Sequence, residues 1–279
     1  MTQDAATRAP AALTIAGSDP SGGAGIQADL KTFTVLGVYG ASVLTALTAQ
    51  STRGVAGILA VPPAFVTLQI ATLADDLDIR ATKTGMLNDR ATVLAVAEAV
   101  RRHRLAPLVA DPVMVATSGD MLLEPAAVEA VRSELVPLAD VLTPNLAEAA
   151  RLLDRAVATT EAEMEAQARA LLELGCKAVV LKGGHGEGAE AVDILAQRGG
   201  AAVLRLSLPR IATRNTHGTG CTFAAALTAY LVRGETVESA TRLAKAFVHN
   251  ALQAGARLAV GRGCGPVDLL YAIRPLKDE

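Results

Sequence analysis

Residues 216–221, with the sequence THGTGC, place two glycines and a cysteine directly ahead of an alanine-rich apolar run. Glycines at positions 218 and 220 allow consecutive backbone N–H groups to point into one concavity at the start of a helix, and such a concavity holds an anion. Cys221 would lie in the first turn of that helix, where the helix dipole is expected to lower the pKa of its thiol. The pattern therefore predicts a phosphate-binding turn with a base beside it, a pair suited to phosphorylating an alcohol. The simpler alternative is a helix-initiating turn without a ligand.

A second glycine-rich segment, residues 17–29 (GSDPSGGAGIQAD), follows the first predicted strand. It contains the pattern G-x-G-x-x-A of dinucleotide-binding proteins. Such proteins need an acidic residue about 20 positions further on, whereas no acid occurs here between Asp29 and Asp75. No Lys-Ser or Lys-Thr pair follows the glycines, which excludes a Walker A loop. Two interpretations remain: a tight strand-to-helix turn, or a loop that lets a small substrate approach the backbone closely.

The elements that must position these segments alternate between short apolar strands and helices rich in alanine, leucine and glutamate. Strands are predicted at residues 12–17, 41–48, 80–85, 107–113, 139–145 and 177–184, with antiparallel edge strands at 191–196 and 202–208. Helices are predicted from the glycine turn to about residue 36 and at residues 62–76, 89–103, 124–136, 160–174, 219–233 and 236–255. This alternation indicates a single α/β domain with a mostly parallel central sheet and helices on both faces. Ligands of such sheets bind beyond the carboxyl ends of the strands, where the polar and glycine-rich segments would meet.

The composition narrows the function further. The chain has 279 residues and a net charge of −2, and aromatic residues make up only 3% of it. Neither a basic surface nor a stacking platform is predicted, so nucleic acid is not an expected partner. There is no run of 18 apolar residues and no secretory signal, so no membrane association is expected. Three cysteines far apart indicate a reducing cytoplasm rather than a disulfide scaffold.

Seven segments, spread in order over most of the chain, carry a specific resemblance to a known family. They are ALTIAGSDPSGGAGIQADLKTF (12–33), GVYGASVLTALTAQSTRGV (37–55), TKTGML (82–87), DPVMVATSGD (111–120), TPNLAEA (143–149), LKGGH (181–185) and NTHGTGCTFAAAL (215–227). The sequence resembles the hydroxymethylpyrimidine kinase/phosphomethylpyrimidine kinase family of thiamine biosynthesis, within the ribokinase-like superfamily. Most sugar kinases of that superfamily have an aspartate after the glycine turn, whereas this chain resembles the pyrimidine kinases in having a cysteine.

The resemblance implies a ribokinase-like fold, with residues 11–279 forming one kinase domain behind a disordered tail of residues 1–10. It also implies ATP and Mg²⁺ as cofactors, a cytoplasmic homodimer and a small pyrimidine substrate. The expected reaction is the phosphorylation of 4-amino-5-hydroxymethyl-2-methylpyrimidine and then of its monophosphate, which gives the diphosphate used for thiamine.

The resemblance also implies roles for individual residues. The backbone N–H groups of Gly218, Thr219 and Gly220 would surround the transferring phosphate, with Cys221 as the base. The expected nucleotide and metal residues are Asn145, Lys182 and Thr216 near the ATP phosphates, and Asp111 and Glu148 as carboxylates of the Mg²⁺ network. The expected pyrimidine contacts are Asp29, Gln50, Met86 and Val113.

Two details bear on these roles. The amide of Gln50 offers both a donor and an acceptor, as the edge of an aminopyrimidine requires. In the segment 115–120, Thr117 replaces the lysine common in related sequences, which weakens the case for a charged lid.

Two alternatives stay open. A pyridoxal kinase of the same superfamily would use the same phosphate chemistry on another aromatic ring that bears a hydroxymethyl group. Gln50 favours the aminopyrimidine, because pyridoxal offers a phenol and an aldehyde instead. A non-catalytic metabolite-binding module is disfavoured by the complete set of Cys221, Asp111, Glu148 and Lys182.

Overall fold

The computed structural model describes residues 9–115, 122–184 and 188–274. Nine strands within these ranges belong to one sheet. They are β1 (Ala11–Ser18), β2 (Tyr39–Ser51), β3 (Gly54–Ala60), β4 (Ile79–Thr84), β5 (Leu108–Ala110), β6 (Val141–Leu142), β7 (Ala178–Lys182), β8 (Glu190–Gln197) and β9 (Leu204–Pro209). Their order across the sheet is β3-β2-β1-β4-β5-β6-β7-β8-β9.

The centre of the sheet is parallel and its edges are antiparallel. Neighbouring strands from β2 across to β7 run parallel to one another. Strand β3 at one edge, and β8 and β9 at the other, pair in the antiparallel sense. This arrangement confirms the predicted mostly parallel sheet with antiparallel edge strands.

Helices cover both faces of the sheet. They are α1 (Gly25–Val35), α2 (Pro63–Asp76), α3 (Arg90–His103), α4 (Pro125–Ala130), α5 (Leu146–Leu153), α6 (Glu161–Leu172), α7 (Thr219–Val232) and α8 (Val237–Gly255). Buried side chains of α2 to α6 pack on one face, for example Ile70 and Leu171 against Leu13 and Leu181. Those of α1, α7 and α8 pack on the other face, as Phe33 and Ala225 do around Ala12. None of the helices in the described ranges is long and apolar enough to span a membrane.

The parallel strands fix where the polar segments meet. Strands β1, β4, β5, β6 and β7 run in one direction, so the segments that follow them leave the sheet at the same edge. Helices α1, α5 and α7 begin at this edge, next to those segments. The edge therefore collects strand ends and helix N-termini, as expected for a ligand site of an open α/β sheet.

The structure differs from the predicted elements in several places. Residues 124–136, predicted as one helix, form α4 and then a π-helical turn (Val131–Leu135) and a 3-10 turn (Val136–Leu138). Pro137 explains part of this, because it has no N–H with which to continue an α-helix. The predicted strands at 107–113 and 139–145 are only three and two residues long. Helix α5 and strand β3 are additional elements that the sequence pattern did not indicate.

Some predictions fall on residues that the structure does not describe. Most of the predicted tail of residues 1–10 lies outside the described ranges, as do Thr117 of the lid segment and His185 of the segment LKGGH. The extent of the single domain, residues 11–279, stays a prediction.

Candidate active site

A cavity of about 870 Å³ lies at the carboxyl edge of the parallel strands. Its walls include residues from every strand end named above. They include residues 16–19 at the end of β1, Lys83 and Met86 at β4, Asp111 and Val113 after β5, residues 145–148 after β6, Lys182 and Gly184 at β7, and residues 216–221 at the start of α7. The expectation that one crevice gathers the polar segments is therefore met.

Gly218 sets the geometry of the turn before α7. It is the N-cap of the helix with φ of +80°, a conformation that side chains rarely adopt. A Cβ at this position would also collide with the carbonyl oxygen of Gly23, so the turn packs directly on the loop after β1. The first backbone hydrogen bond of the helix runs from the N–H of Thr222 to the oxygen of Gly218, over 2.9 Å. The N–H groups of Gly220 and Cys221 thus have no carbonyl partner within the helix, and an anion can accept hydrogen bonds from them.

The backbone of Thr219 makes a hydrogen bond within this turn. Its N–H donates to the carbonyl of Thr216 over 3.2 Å, so it is engaged within the turn itself. Among the three predicted N–H donors, that of Gly220 is in the first turn of the helix and beside the charged side chains of the cavity. A Cβ added to Gly220 would lie 3.5 Å from Nζ of Lys182 and 3.8 Å from Oδ2 of Asp111.

The thiol of Cys221 lines the cavity, but its predicted acidity needs correction. Burial raises the pKa of Cys221 to about 11, instead of the lowered value expected from the helix dipole. The charge of Lys83 and a hydrogen bond from the backbone of Gly25 act in the opposite direction without overcoming burial. Removing water from the charged form of the thiol is therefore the larger effect. At neutral pH the thiolate of Cys221 is a minority species.

Asp111, Lys182 and Glu148 form a charged cluster on the same wall. Nζ of Lys182 lies 2.9 Å from Oδ1 of Asp111, and this oxygen also accepts the hydroxyl of Thr143 over 3.0 Å. Glu148 is buried, which raises its pKa to about 7, while the charge of Lys182 lowers it and that of Asp111 raises it. The three side chains bring two carboxylates and one ammonium group to the place predicted for the metal and the phosphates.

Asn145 and Glu148 hold each other at the start of α5. The side chain of Asn145 accepts the N–H of Glu148, and the carboxylate of Glu148 accepts the N–H of Asn145, which makes a reciprocal cap. The cap accounts for a helix at this point and fixes the Glu148 carboxylate at the cavity wall. Both residues line the cavity, as does Thr216.

Three of the four predicted pyrimidine contacts lie on the cavity wall. These are Gln50, Met86 and Val113. Oε1 of Gln50 accepts the hydroxyl of Thr48 over 3.2 Å, and this hydrogen bond orients the amide of Gln50. Met86, Val113 and Leu122 pack together as a small apolar group at this end of the cavity.

Asp29 is the exception among the four. Among the described residues it is absent from the cavity wall, and its carboxylate is completely buried beneath Lys83. Oδ2 of Asp29 accepts Nζ of Lys83 over 2.9 Å and the hydroxyl of Thr14 over 2.6 Å. The structure therefore places Asp29 in an ion pair with Lys83, and its contact with the substrate stays a prediction.

The sequence pattern does not single out Lys83 and assigns no role to His217. Lys83 lies between two threonines in a strand buried on both faces, so a charged residue there was the available signal. His217 pairs with Asp19 over 2.8 Å, and both side chains are buried. Asp19 lies in the segment GSDPSGGAG, in which the glycines form the recognisable pattern.

The far end of the cavity is mainly apolar and has one buried ion pair. Leu208, Ile211, Phe223, Val248 and Leu252 line it. Nζ of Lys245 lies 2.6 Å from Oδ2 of Asp193, whose Oδ1 accepts the N–H of Gly183. The ion pair thus ties α8 and β8 to the loop after β7, next to Lys182.

The sheet order, the glycine turn packed on the loop after β1, and a cavity between them define a ribokinase-like small-molecule kinase. A family profile described as phosphomethylpyrimidine kinase matches residues 19–268, and the chain belongs to that family. The hydroxymethylpyrimidine/phosphomethylpyrimidine kinase of Rhizobium meliloti is 54% identical over 256 residues, which cover 92% of this chain and 95% of that protein.

Two solved structures are similar throughout. Phosphomethylpyrimidine kinase from Clostridium difficile superposes with a TM-score of 0.76 at 39% identity, over 88% of this chain and 100% of that one. Pyridoxal kinase from Staphylococcus aureus in complex with AMP-PCP and pyridoxal gives a TM-score of 0.87 at 34% identity, over 96% of both chains.

Proposed function

We propose that this protein transfers the γ-phosphoryl group of ATP to 4-amino-5-hydroxymethyl-2-methylpyrimidine, and then phosphorylates the monophosphate to the diphosphate. The observation that carries the proposal is the position of Cys221, in the first turn of α7, on the wall of the cavity that Gln50 and Met86 also line. The name of the R. meliloti relative supports the same two substrates.

In the first step the hydroxyl oxygen bonds to the γ-phosphorus while the bond from that phosphorus to the β–γ bridging oxygen breaks. The hydroxyl proton passes to the sulfur of Cys221 in its thiolate form, and ADP leaves with the electron pair of the broken bond. In the second step the nucleophile is already an anionic phosphate oxygen. A base is therefore useful in the first step and dispensable in the second.

The protein stabilises the transferring group mainly by position and charge. The N–H groups of Gly220 and Cys221, at the positive end of α7, receive its oxygens. Lys182, held by Asp111 over 2.9 Å, faces the phosphates, with Asn145 and Thr216 on the nucleotide side.

Mg²⁺ fits the residues on this wall. Asp111 and Glu148 both line the cavity, and Mg²⁺ is usually held by one or two carboxylates, with water and phosphate oxygens completing its shell. When bound, the ion would offset the negative charge of the ATP phosphates. Asp111 and Glu148 are the residues that would hold it.

The pyrimidine occupies the end of the cavity lined by Gln50, Met86 and Val113. The amide of Gln50 pairs with the ring nitrogen and the exocyclic amine, which needs one donor and one acceptor. The apolar side chains of Met86 and Val113 enclose the ring. Pyridoxal is a second candidate substrate, because a pyridoxal kinase complex is closely similar in structure.

The substitution Cys221→Ala tests the chemistry, with Cys176→Ala as the matched control. Cys176 is a completely buried thiol whose sulfur contacts the carbonyl of Leu171, away from the cavity. We expect Cys221→Ala to lower kcat for the hydroxymethylpyrimidine by about 100-fold or more and to leave kcat for its monophosphate within a few-fold. Equal losses in both steps would remove Cys221 from the role of base.

We also propose a homodimer that acts in the cytoplasm. Strand β3 forms an edge of the sheet, and exposed apolar side chains lie on β2, β3 and α2; we call these residues the apolar edge surface. They are Tyr39, Leu47, Ile58, Leu59, Phe65 and Leu68. An unpaired apolar edge favours association with a second copy of the chain. The three free cysteines, Cys176, Cys221 and Cys264, support a reducing compartment.

A further inference from the structure

Helix α7, which carries the proposed active-site thiol, packs on the strand that carries a buried lysine. Lys83 lies on β4, opposite Thr14 of β1 and Val109 of β5 in the sheet register. Its side chain is 0% exposed on the surface of the protein. Helices α1 and α7 cover this face of the sheet, and α7 carries Cys221 in its first turn. Burying a charge at such a place costs free energy unless the charge is paired and hydrogen-bonded.

Asp29 holds the ammonium group of Lys83 in a fixed position. The distance from Nζ to Oδ2 of Asp29 is 2.9 Å, and the hydroxyl of Thr14 donates to the same oxygen over 2.6 Å. Space for the ammonium group depends on Gly85, since a Cβ there would lie only 2.7 Å from Nζ. The group is therefore enclosed on the protein side by a built set of contacts.

Lys83 also lies at the wall of the cavity. Lys83 lines the same cavity as Cys221, although Asp29 does not. The ammonium group has three N–H donors, and within the described residues Asp29 is its hydrogen-bond partner. Lys83 thus places a buried positive charge at the wall of the cavity, next to the residues that line it.

Four charged groups act on Cys221 from the elements packed around α7. Lys83 comes from β4, Asp29 from α1, Asp111 from the segment after β5, and Lys182 from β7. Asp111 contacts Lys182 over 2.9 Å, as Asp29 contacts Lys83, so the set has no net charge. Lys83 is the cation with the largest effect in favour of the thiolate.

We propose that Lys83 is a positioning residue for Cys221, whose ammonium group stabilises the negative charge of the thiolate, and that Asp29 keeps this group in place. This role rests on the proposed function, in which Cys221 takes the proton of the substrate hydroxyl. Burial alone would lower the pKa of Lys83, but the neighbouring charges of Asp29, Cys221 and Asp111 raise it above its ordinary value. Lys83 therefore stays charged both when Cys221 is a thiol and when it is a thiolate.

Alkylation of Cys221 by iodoacetamide tests the proposal without any substrate. The reagent reacts with the thiolate, so its rate at a fixed pH follows the thiolate fraction. We compare the wild type with Lys83→Met, which keeps the length and removes the charge, and identify the modified cysteine by peptide mass spectrometry. Lys177→Met is the control, since Lys177 is exposed and pairs with Asp140 at the opposite edge of the sheet.

At about pH 9 we expect Lys83→Met to slow alkylation of Cys221 by about ten-fold or more, the equivalent of one pKa unit. The rate in Lys177→Met should stay within about two-fold of the wild type, as expected when a distant surface charge is removed. An unchanged rate and pH profile in folded Lys83→Met would overturn the proposal. If burial of unpaired Asp29 prevents folding, Lys83→Met/Asp29→Asn removes both charges at nearly constant volume. A smaller loss of rate, still outside the range of Lys177→Met, is expected there, because the charge of Asp29, which raises the pKa of Cys221, is lost as well.

Turnover of the two pyrimidines separates this inference from the proposed function. In Lys83→Met, kcat for the hydroxymethylpyrimidine should fall at least about ten-fold more than kcat for its monophosphate, in proportion to the lost thiolate. Slower alkylation in a protein that phosphorylates neither compound would contradict the proposed function and support the charge coupling. If alkylation in Lys83→Met is as fast as in the wild type, and the wild type phosphorylates both compounds, the charge coupling is contradicted and the proposed function is supported.

Discussion

Nε2 of His217 lies 2.8 Å from Oδ2 of Asp19, and this contact joins the loop after β1 to the turn before α7. Oδ2 of Asp19 also accepts the N–H of Ala24, and Oδ1 accepts that of Ser21. One carboxylate therefore fixes the glycine loop in its own shape and attaches it to the turn that carries Gly218 and Cys221. The two loops that form the floor of the cavity act as one unit.

The first prediction concerns stability through this contact. Burial alone would raise the pKa of Asp19, but hydrogen bonds from His217, Ser21 and Ala24 lower it to about 2 from 3.8. The ionised group therefore stabilises the fold above about pH 4, and this contribution is lost as the pH falls towards 2. Urea unfolding should show Asp19→Asn less stable than the wild type by about 2 kcal/mol at pH 7, with a gap that narrows below pH 4.

Asp78→Asn is the control for that measurement. Asp78 pairs with Arg80 at the surface, where such a pair contributes less than about 1 kcal/mol. A pH-independent difference for Asp19→Asn, or one no larger than for Asp78→Asn, would rule out the stabilising role of the Asp19 carboxylate.

The second prediction concerns the glycine at the N-terminus of α7. Gly218 and Gly234 both have positive φ, +80° and +88°, but only Gly218 has a backbone atom in the way of a Cβ. Gly234→Ala should cost about 1 kcal/mol of stability and leave turnover unchanged. Gly218→Ala should lower the stability by more than Gly234→Ala does. It should also reduce turnover by about 100-fold, because the turn must move away from Gly23. The test is to measure thermal unfolding and kcat for both variants. If the two substitutions lower stability and kcat equally, the packing of the two loops is unimportant.

The third prediction concerns the pH dependence of the two steps. Since burial raises the pKa of Cys221 to about 11, the fraction of thiolate grows about ten-fold for each pH unit from 7 to 9. The kcat of the alcohol step should rise accordingly, while the phosphate step, which needs no base, should lack this slope. Parallel pH profiles for the two steps would contradict the assignment, whatever their shape.

The fourth prediction concerns the apolar edge surface. Leu59 on β3 is 67% exposed and lies opposite Leu47 of β2 in the register of the pair. Leu59→Lys should convert a dimer into a monomer in light scattering, because a charge buried at an apolar interface has no partner. Leu243→Lys on α8, at a residue 37% exposed, is the matched control and should remain dimeric. A wild type that is monomeric at all accessible concentrations would exclude the homodimer.

The sequence predicts the order of most strands and helices because each has a clear period or a glycine at its end. Strand β3 escapes prediction because its apolar residues do not alternate with polar ones, and five of its residues are exposed. Helix α5 is only eight residues long, and its sole advance signal is the cap formed by Asn145 and Glu148.

Some features of the candidate site can likewise be predicted from the sequence, and others cannot. Glycine turns and strand ends place Cys221, Asp111 and Lys182 at one edge, because topology alone fixes where parallel strands end. The pairing of Lys83 with Asp29, which are 54 positions apart, depends on the register of β1 and β4 and on the packing of α1. The high pKa of Cys221 depends on burial, which no local pattern records.

Phosphorylation of hydroxymethylpyrimidine by the wild-type protein, with ATP and Mg²⁺, tests the central claim most directly. Its kcat/KM should be compared with those for the monophosphate and for pyridoxal under identical conditions. We expect turnover of both pyrimidines, with pyridoxal at least about ten-fold slower because Gln50 matches an aminopyrimidine edge. Turnover of pyridoxal alone would retain the kinase chemistry of Cys221 and contradict the pyrimidine substrate.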